Sequence, residues 1–242
     1  MNLRRIAKGF INRAAGRWGM ELAYKHVLER PELRRDWLKT LPVRTVLDIG
    51  ANDGDFAAEI RDLLPEAHIY SFEPLRDAHA ALVSRMRGDA RFRAFNFALG
   101  AEDARTVIHR SSFSPSSSLL PMLDLHTEAW PHTAGGAAEE IEVRRLDSLR
   151  LDAEPELLVK IDVQGFEDKV IEGGRETLGR ASYVVTEVSF ARLYEGQPLF
   201  EEIYETMRGL GFDFQGNMEQ MVSPADGRVV QADSIFVRRD LA

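Results

Sequence analysis

VLDIGANDGDF, residues 46–56, joins an apolar run to a glycine turn and then to the start of a helical pattern. A strand that ends in such a turn commonly holds a ligand at its carboxyl end. This turn lacks the third glycine of the dinucleotide fingerprint G-x-G-x-x-G and the lysine of a phosphate-cradling loop. Asp48 sits beside it and favours a cation over a phosphate. The helix that begins near Asp53 or Gly54 offers free N–H groups and a positive dipole end to an anion.

Outward from this stretch, apolar runs alternate with helical ones. Strands are expected at 45–50, 68–74, 92–100, 157–163 and 181–190, and helices at 55–64, 75–86, 167–178 and 198–212. Two closing strands, 212–222 and 229–238, flank a turn at Pro224-Ala225-Asp226-Gly227. Strand–helix alternation with nearly all-apolar strands predicts a Rossmann-like, doubly wound α/β sheet. It is mostly parallel and ends in an antiparallel C-terminal hairpin strand. Residues 101–150 interrupt the alternation with a serine-rich run and a small-residue linker at Ala134–Ala138. They read either as a surface loop or as a lid over the ligand, with short strands at RTVIHR and EIEVRRL.

Charge divides the chain. Residues 1–44 hold eleven Lys/Arg against four Asp/Glu, whereas the remainder holds 20 against 35. The acidic bulk argues against nucleic acid as a partner. The expected division is a basic helical segment over 1–43 and one domain over 44–242. Apolar residues of the segment, Leu3, Ile6, Phe10, Ile11 and Trp18 among them, share a helical stripe. It reads as a helix on the domain, a frayed tail, or an interfacial helix that brings residues 1–20 to anionic lipid at the inner face of the membrane. No secretory h-region or spanning run is present in the sequence, and the absence of cysteine fits a reducing, cytoplasmic compartment. It also excludes disulfides, thiol nucleophiles and zinc–thiolate sites.

Four acids fall at strand ends: Asp48, Glu73, Asp162 and Glu187. Glu73 lies 19 residues after Gly54, across one helix. That is close to the roughly 20-residue spacing at which an acid accepts hydrogen bonds from a ribose diol. A ligand with a ribose, a carboxylate and a cationic centre meets all of these demands. S-adenosylmethionine has each group. An NAD- or nucleotide-sugar-dependent oxidoreductase is the competing reading, and a cofactor-binding module without chemistry is another.

VLDIGANDGDF, SFEP, NFALG and KIDVQGFEDKVIEGG, in that order, resemble the FkbM-type methyltransferases over about residues 44–240. The resemblance implies a seven-stranded class I fold and methyl transfer from S-adenosylmethionine, leaving S-adenosylhomocysteine. The acceptor it implies is a hydroxyl on a sugar, glycan, glycolipid or secondary metabolite. It implies that Asp48, Gly50, Asn52 and Gly54 line the methionine part, with Ala51 and Phe56 beside them. Glu73, with Pro74, would bind the ribose, and Asn96 and Ala98 would lie near the adenine. Asp162 would sit by the transferring methyl.

A hydroxyl is a weak acid, so its methylation calls for a general base or a metal. Asp162 is the first candidate base and Glu187 the second. Together they offer oxygen ligands to Mg²⁺, but two carboxylates make no ligand set, and no metal residue is assigned. His109, His126 and His132 in the insertion read as surface histidines. Trp130 reads as a sugar platform or as packing for the lid, and Tyr194 and Gln197 as borders of the acceptor pocket. The sequence leaves the oligomeric state open.

Overall fold

A computed structural model describes residues 36–241. The chain divides into two units, Met1–Leu41 and Pro42–Ala242. The interfacial-helix reading of residues 1–20 lies outside the described residues. Of the first unit only a short 3-10 helix, Asp36–Thr40, is described.

The second unit is built on a seven-stranded sheet of strands β1 (Thr45–Ile49), β2 (His68–Phe72), β3 (Phe92–Phe95), β7 (Leu157–Ile161), β8 (Tyr183–Ser189), β9 (Phe212–Val222) and β10 (Val229–Arg238). Their order is β3-β2-β1-β7-β8-β10-β9. β1, β7 and β8 are buried along their whole length, which is why they read as unbroken apolar runs. β10, between β8 and β9, runs opposite to the other six strands. The strand order reverses between β1 and β7, where sheets of this kind open a crevice at their carboxyl ends.

Helix α1 (Asp55–Leu63) buries Phe56, Ala57 and Ile60 and stops before Pro65. Helix α2 (Arg76–Arg85) follows β2. Helices α4 (Glu167–Gly173), α5 (Arg175–Leu178) and α6 (Phe200–Gly209) complete the alternation. The single helix expected over 167–178 is broken at Gly174. Both carboxylate oxygens of Asp147 accept the free N–H groups of Glu176 and Thr177, at 2.9 and 2.8 Å, and so start a second helix.

The strand expected over 92–100 is also divided. The chain bends at Asn96-Phe97, where Phe95 and Phe97 pack together with Phe72. Residues Ala98–Leu99 (β4) then join a second sheet of order β4-β6-β5. β5 (Ala104–His109) and β6 (Ala138–Arg144) pair antiparallel at the base of the insertion. Between them lies helix α3 (Asp124–Ala129). The insertion is therefore a folded layer with its own strands and not a bare surface loop. Its Ile108, Ile141 and Val143 form a second small core with Leu75, Ala78 and Ala98.

Candidate active site

The glycine turn after β1 is fastened to β2. The N–H groups of Gly50 and Ala51 both donate to the carbonyl of Phe72, at 3.0 and 3.1 Å. Asn52 then adopts a left-handed φ of 45°, which asparagine tolerates better than most residues. Its N–H donates to Glu73 Oε2 at 2.9 Å, while the N–H of Leu75 donates to Oε1 at 2.7 Å. Glu73 is buried. Burial pushes its carboxyl up to about 7; the two N–H donors oppose this, and the carboxylates of Asp48 and Asp77 add to it.

Across the crevice, β7 ends in a second polar cluster. Lys160 is buried in an otherwise apolar strand. Its Nζ lies 3.1 Å from Asp162 Oδ2 and 3.9 Å from Asp48 Oδ1. Burial disfavours the ammonium, but the carboxylates of Asp162, Asp48 and Asp233 outweigh it and hold the lysine protonated, well above its ordinary range. Gln164 takes a left-handed φ of 55°. Its Nε2 donates to Asp162 Oδ1 at 2.8 Å and to both Glu187 oxygens at 3.2 Å. The amide thus stands between the two acids. Glu187 is buried and also accepts Gln231 Nε2 at 2.8 Å. Its carboxyl is raised well above the usual range, first by burial and then by Asp162, Glu167 and Asp233. Glu167 caps its own turn, accepting the N–H groups of Val163 and Gly165, each at 3.1 Å.

The insertion closes on both walls. Ser114 Oγ donates to Asn52 Oδ1 at 3.1 Å, and Ser118 Oγ donates to the Gln164 carbonyl at 2.6 Å. The fully buried Tyr194 places its hydroxyl 3.1 Å from the Ser116 carbonyl and 2.9 Å from Gln164 Oε1. His126 packs edge-on against Tyr194 and Trp130, with ring centres 5.3 and 5.4 Å away. It is a buried core residue of the insertion, contrary to the surface position expected of it. Burial, with a smaller contribution from His132, lowers its imidazole to about 4. Trp130 accordingly packs the insertion down. Gln197 is buried and turns its amide oxygen to the N–H groups of Leu193 and Tyr194, so it shapes the loop instead of bordering an acceptor pocket.

The result is one cleft enclosing about 580 Å³, its open mouth included, which falls within the range of small-ligand sites. Of the expected cofactor residues, Gly50, Asn52, Glu73, Pro74 and Ala98 line it. Asp48, Ala51, Gly54, Phe56 and Asn96 stand outside its walls and serve them from behind. Asp48 is fully buried and accepts the Ser71 hydroxyl at 3.0 Å. Phe56 carries Lys160 Nζ 5.2 Å above its ring. A Cβ on Gly54 would meet Leu82 at 2.7 Å, so that glycine lets α1 pack on α2. Asn96 donates its amide to the carbonyls of Glu73 and Pro74, at 3.0 and 2.9 Å, and so braces the ribose candidate.

Asp162 lines the cleft with its side chain 29% exposed. Glu187 lies behind Gln164 and does not reach it. The sequence reading missed Lys160 and Gln164. For Lys160 the signal is present: a lysine inside LLVKI, in a strand covered on both faces, requires buried carboxylate partners. Among the described residues, no three His, Asp or Glu side chains gather as a metal-binding group. The cleft therefore offers carboxylates and hydroxyls to a ligand that carries hydroxyls of its own and a positive charge.

A family described as the methyltransferase FkbM domain matches residues 48–214. The 2-O-methyltransferase NoeI of Sinorhizobium fredii is 34% identical over 192 residues, 71% of this chain and 78% of that protein. Among solved structures, a putative RNA methyltransferase from Pyrococcus horikoshii aligns with a TM-score of 0.48 at 10% identity, over 86% of this chain and 81% of that one. Magnesium protoporphyrin IX methyltransferase of Synechocystis, with bound SAM, aligns with 0.45 at 12% identity, over 90% and 81%.

Proposed function

This chain belongs to the FkbM methyltransferases, and on that premise we propose that it moves a methyl group from S-adenosylmethionine to a hydroxyl oxygen of a sugar. One observation carries the reading: Glu73 and Asp162, from strand ends on either side of the order reversal, line the same cleft under a rim of serines. The residues fit the cofactor. Glu73 keeps a lone pair on each oxygen for a ribose hydroxyl, and its raised carboxyl gains from such donors. Gly50 and Asn52 take the methionine end, and Ala98 the adenine side. Carboxylates on the β7 wall suit a ligand with a cationic centre.

When bound, S-adenosylmethionine supplies an already activated methyl group, so the protein has only to align the acceptor and take its proton. Asp162 is the base. Lys160 and Gln164 each hold one of its oxygens, and its side chain, 29% exposed, lines the cleft where an acceptor hydroxyl can meet it. Glu187, buried behind Gln164, supports Asp162 and does not meet the acceptor. Ser114, Ser117 and Ser118 line the cleft and offer hydroxyls to a polyhydroxylated acceptor. The similarity to a 2-O-methyltransferase supports an oxygen as the methylated atom.

The domain proper is residues 44–242, with 101–150 as its lid. The basic segment before it brings the enzyme to anionic lipid on the cytoplasmic face. Among the described residues no helix is long and apolar enough to cross a membrane.

The test is methyl transfer from radiolabelled S-adenosylmethionine to a panel of methyl glycosides and, in parallel, to ribosomal RNA fragments. Label on a glycoside oxygen is expected. Label on RNA alone would sink the sugar reading.

A further inference from the structure

Gln164 is the point where four parts of the site meet. Its Nε2 reaches Asp162 on the cleft wall and Glu187 at the end of β8. Its Oε1 faces the Tyr194 hydroxyl, and its backbone carbonyl faces Ser118 of the insertion. A left-handed backbone at a non-glycine residue persists only where surroundings over-determine it, and such residues gather at functional sites. The orientation of the amide is set by chemistry. Turned over, its oxygen would face two carboxylates and its NH₂ would face the Tyr194 hydroxyl.

We propose that Gln164 is a positioning residue for methyl transfer: its single NH₂ group, held in place by Tyr194, fixes the carboxylate of Asp162 toward the cleft and keeps it apart from Glu187. The proposal rests on the reading of Asp162 as the acid that meets the acceptor.

An amide suits this position better than its near relatives. The NH₂ has two hydrogens, one for each acid. Glutamate here would add another carboxylate to Asp162 and Glu187, beside Glu167 and Asp233. Leucine would leave both acids short of a donor and Tyr194 with the Ser116 carbonyl as its remaining acceptor. Tyr194 acts through Gln164: its hydroxyl meets the Gln164 amide oxygen and the Ser116 carbonyl, and neither acid. Its removal is therefore expected to matter only while the amide is present.

The experiment compares Gln164→Leu, Gln164→Glu, Tyr194→Phe and the Gln164→Leu/Tyr194→Phe double variant in the full chain. Rates are measured with S-adenosylmethionine and the methyl glycoside panel, and S-adenosylhomocysteine affinity by calorimetry. The titration of the Glu187 carboxyl is followed by carbon NMR in the S-adenosylhomocysteine complex, which needs no acceptor. The folded state of each variant is checked by its melting transition. Both Gln164 variants are expected to lower kcat by at least about tenfold, with S-adenosylhomocysteine affinity changed by less than about threefold. Each should move the Glu187 titration to higher pH, Gln164→Leu by loss of a donor and Gln164→Glu by like charge. Tyr194→Phe should act in the same direction and less strongly, and the double variant should be no worse than Gln164→Leu.

An unmoved Glu187 titration, an unchanged kcat, or a loss of cofactor affinity as large as the loss of rate would overturn the proposal. A variant that does not fold is replaced by Tyr194→Phe, whose kcat and titration then decide it in the same way. If the wild type labels no glycoside, the sugar reading fails while the titration still decides the role of Gln164. If Asp162→Asn keeps the wild-type rate, the base assignment fails, and the positioning role fails with it.

Discussion

Gly50 and Asp162 meet backbone to backbone. A Cβ on Gly50 would lie 1.8 Å from the carbonyl oxygen of Asp162, and Gly50 also holds a left-handed φ of 83°. The two halves of the cleft, one following β1 and the other β7, are thus as close as their main chains allow. Gly50→Ala has to pull them apart and strain the turn. The expected loss is at least about 3 kcal/mol, a fall in Tm of roughly 6–12 °C for a chain of this size. Calorimetry of the purified variant checks this, and S-adenosylhomocysteine binding should be lost with it.

The proposed ribose contact at Glu73 would link cofactor affinity to pH. Its carboxyl in the free protein is raised to about 7, and ribose hydroxyls donate to the ionised form. Affinity for S-adenosylhomocysteine should therefore be full above pH 7 and weaken as pH falls through about 7. Glu73→Gln should flatten that dependence and cost about ten- to hundredfold in affinity, or roughly 1.4–2.8 kcal/mol. Calorimetric titrations between pH 5.5 and 8.5, proposed here as about the useful range around the Glu73 carboxyl, would show a flat wild-type profile if the assignment is wrong.

Asp162→Asn removes the proposed base and leaves a group of nearly the same shape. A loss of about 10²- to 10⁴-fold in kcat is expected, with S-adenosylhomocysteine affinity nearly intact. Equal losses in both quantities would mean that Asp162 binds the cofactor instead.

His126 makes the folded state sensitive to acid. Its imidazole is lowered to about 4, chiefly by burial, from an ordinary 6.5. The unfolded chain takes up a proton below about 6.5 that the folded chain refuses until about 4. The stability contributed by neutral His126 is thus present above pH 6.5 and lost as pH falls toward 4, by roughly 1–3 kcal/mol. Urea unfolding at several pH values should show this slope in the wild type and a shallower one in His126→Phe.

The basic segment gives a prediction independent of the site. Removing residues 1–20 should abolish sedimentation with phosphatidylserine vesicles and leave S-adenosylhomocysteine binding unchanged. A full-length protein that stays in the supernatant would disprove the lipid contact.

The sheet was legible because burial on both faces leaves an unambiguous signature. TVLDI and LLVKI are continuous apolar runs, and the hairpin turn is marked by proline and glycine. The place of Glu73, at the end of β2 against the glycine turn, was legible because spacing across one helix is a local quantity. The site's inner arrangement was not. Lys160, Gln164, Tyr194 and Gln231 are brought together by register between strands and by a loop after β8, none of which leaves a periodic trace. Gln164 carries no catalytic motif of its own, and its role follows only from what lies 2.8 to 3.2 Å from its amide. Nor does sequence reveal that His126 is buried, since its place depends on how the insertion folds over Tyr194. The divided third strand misled for a similar reason. FRAFNFALG is apolar throughout, but Asn96 turns back to two carbonyls and sends the remainder into another sheet.

The placing of β10 between β8 and β9 has a consequence for how the enzyme comes into being. Glu187 receives an amide from Gln231 and pairs across the ladder with Asp233, both on the last strand in sequence. A nascent chain that has passed residue 189 has made every candidate catalytic acid and still leaves β8 as a raw edge. Only when residues near 231 have emerged from the ribosome can that edge be covered and the acid behind Gln164 take its final surroundings. The wall behind Asp162 thus stays unfinished until the last strand in sequence has been made.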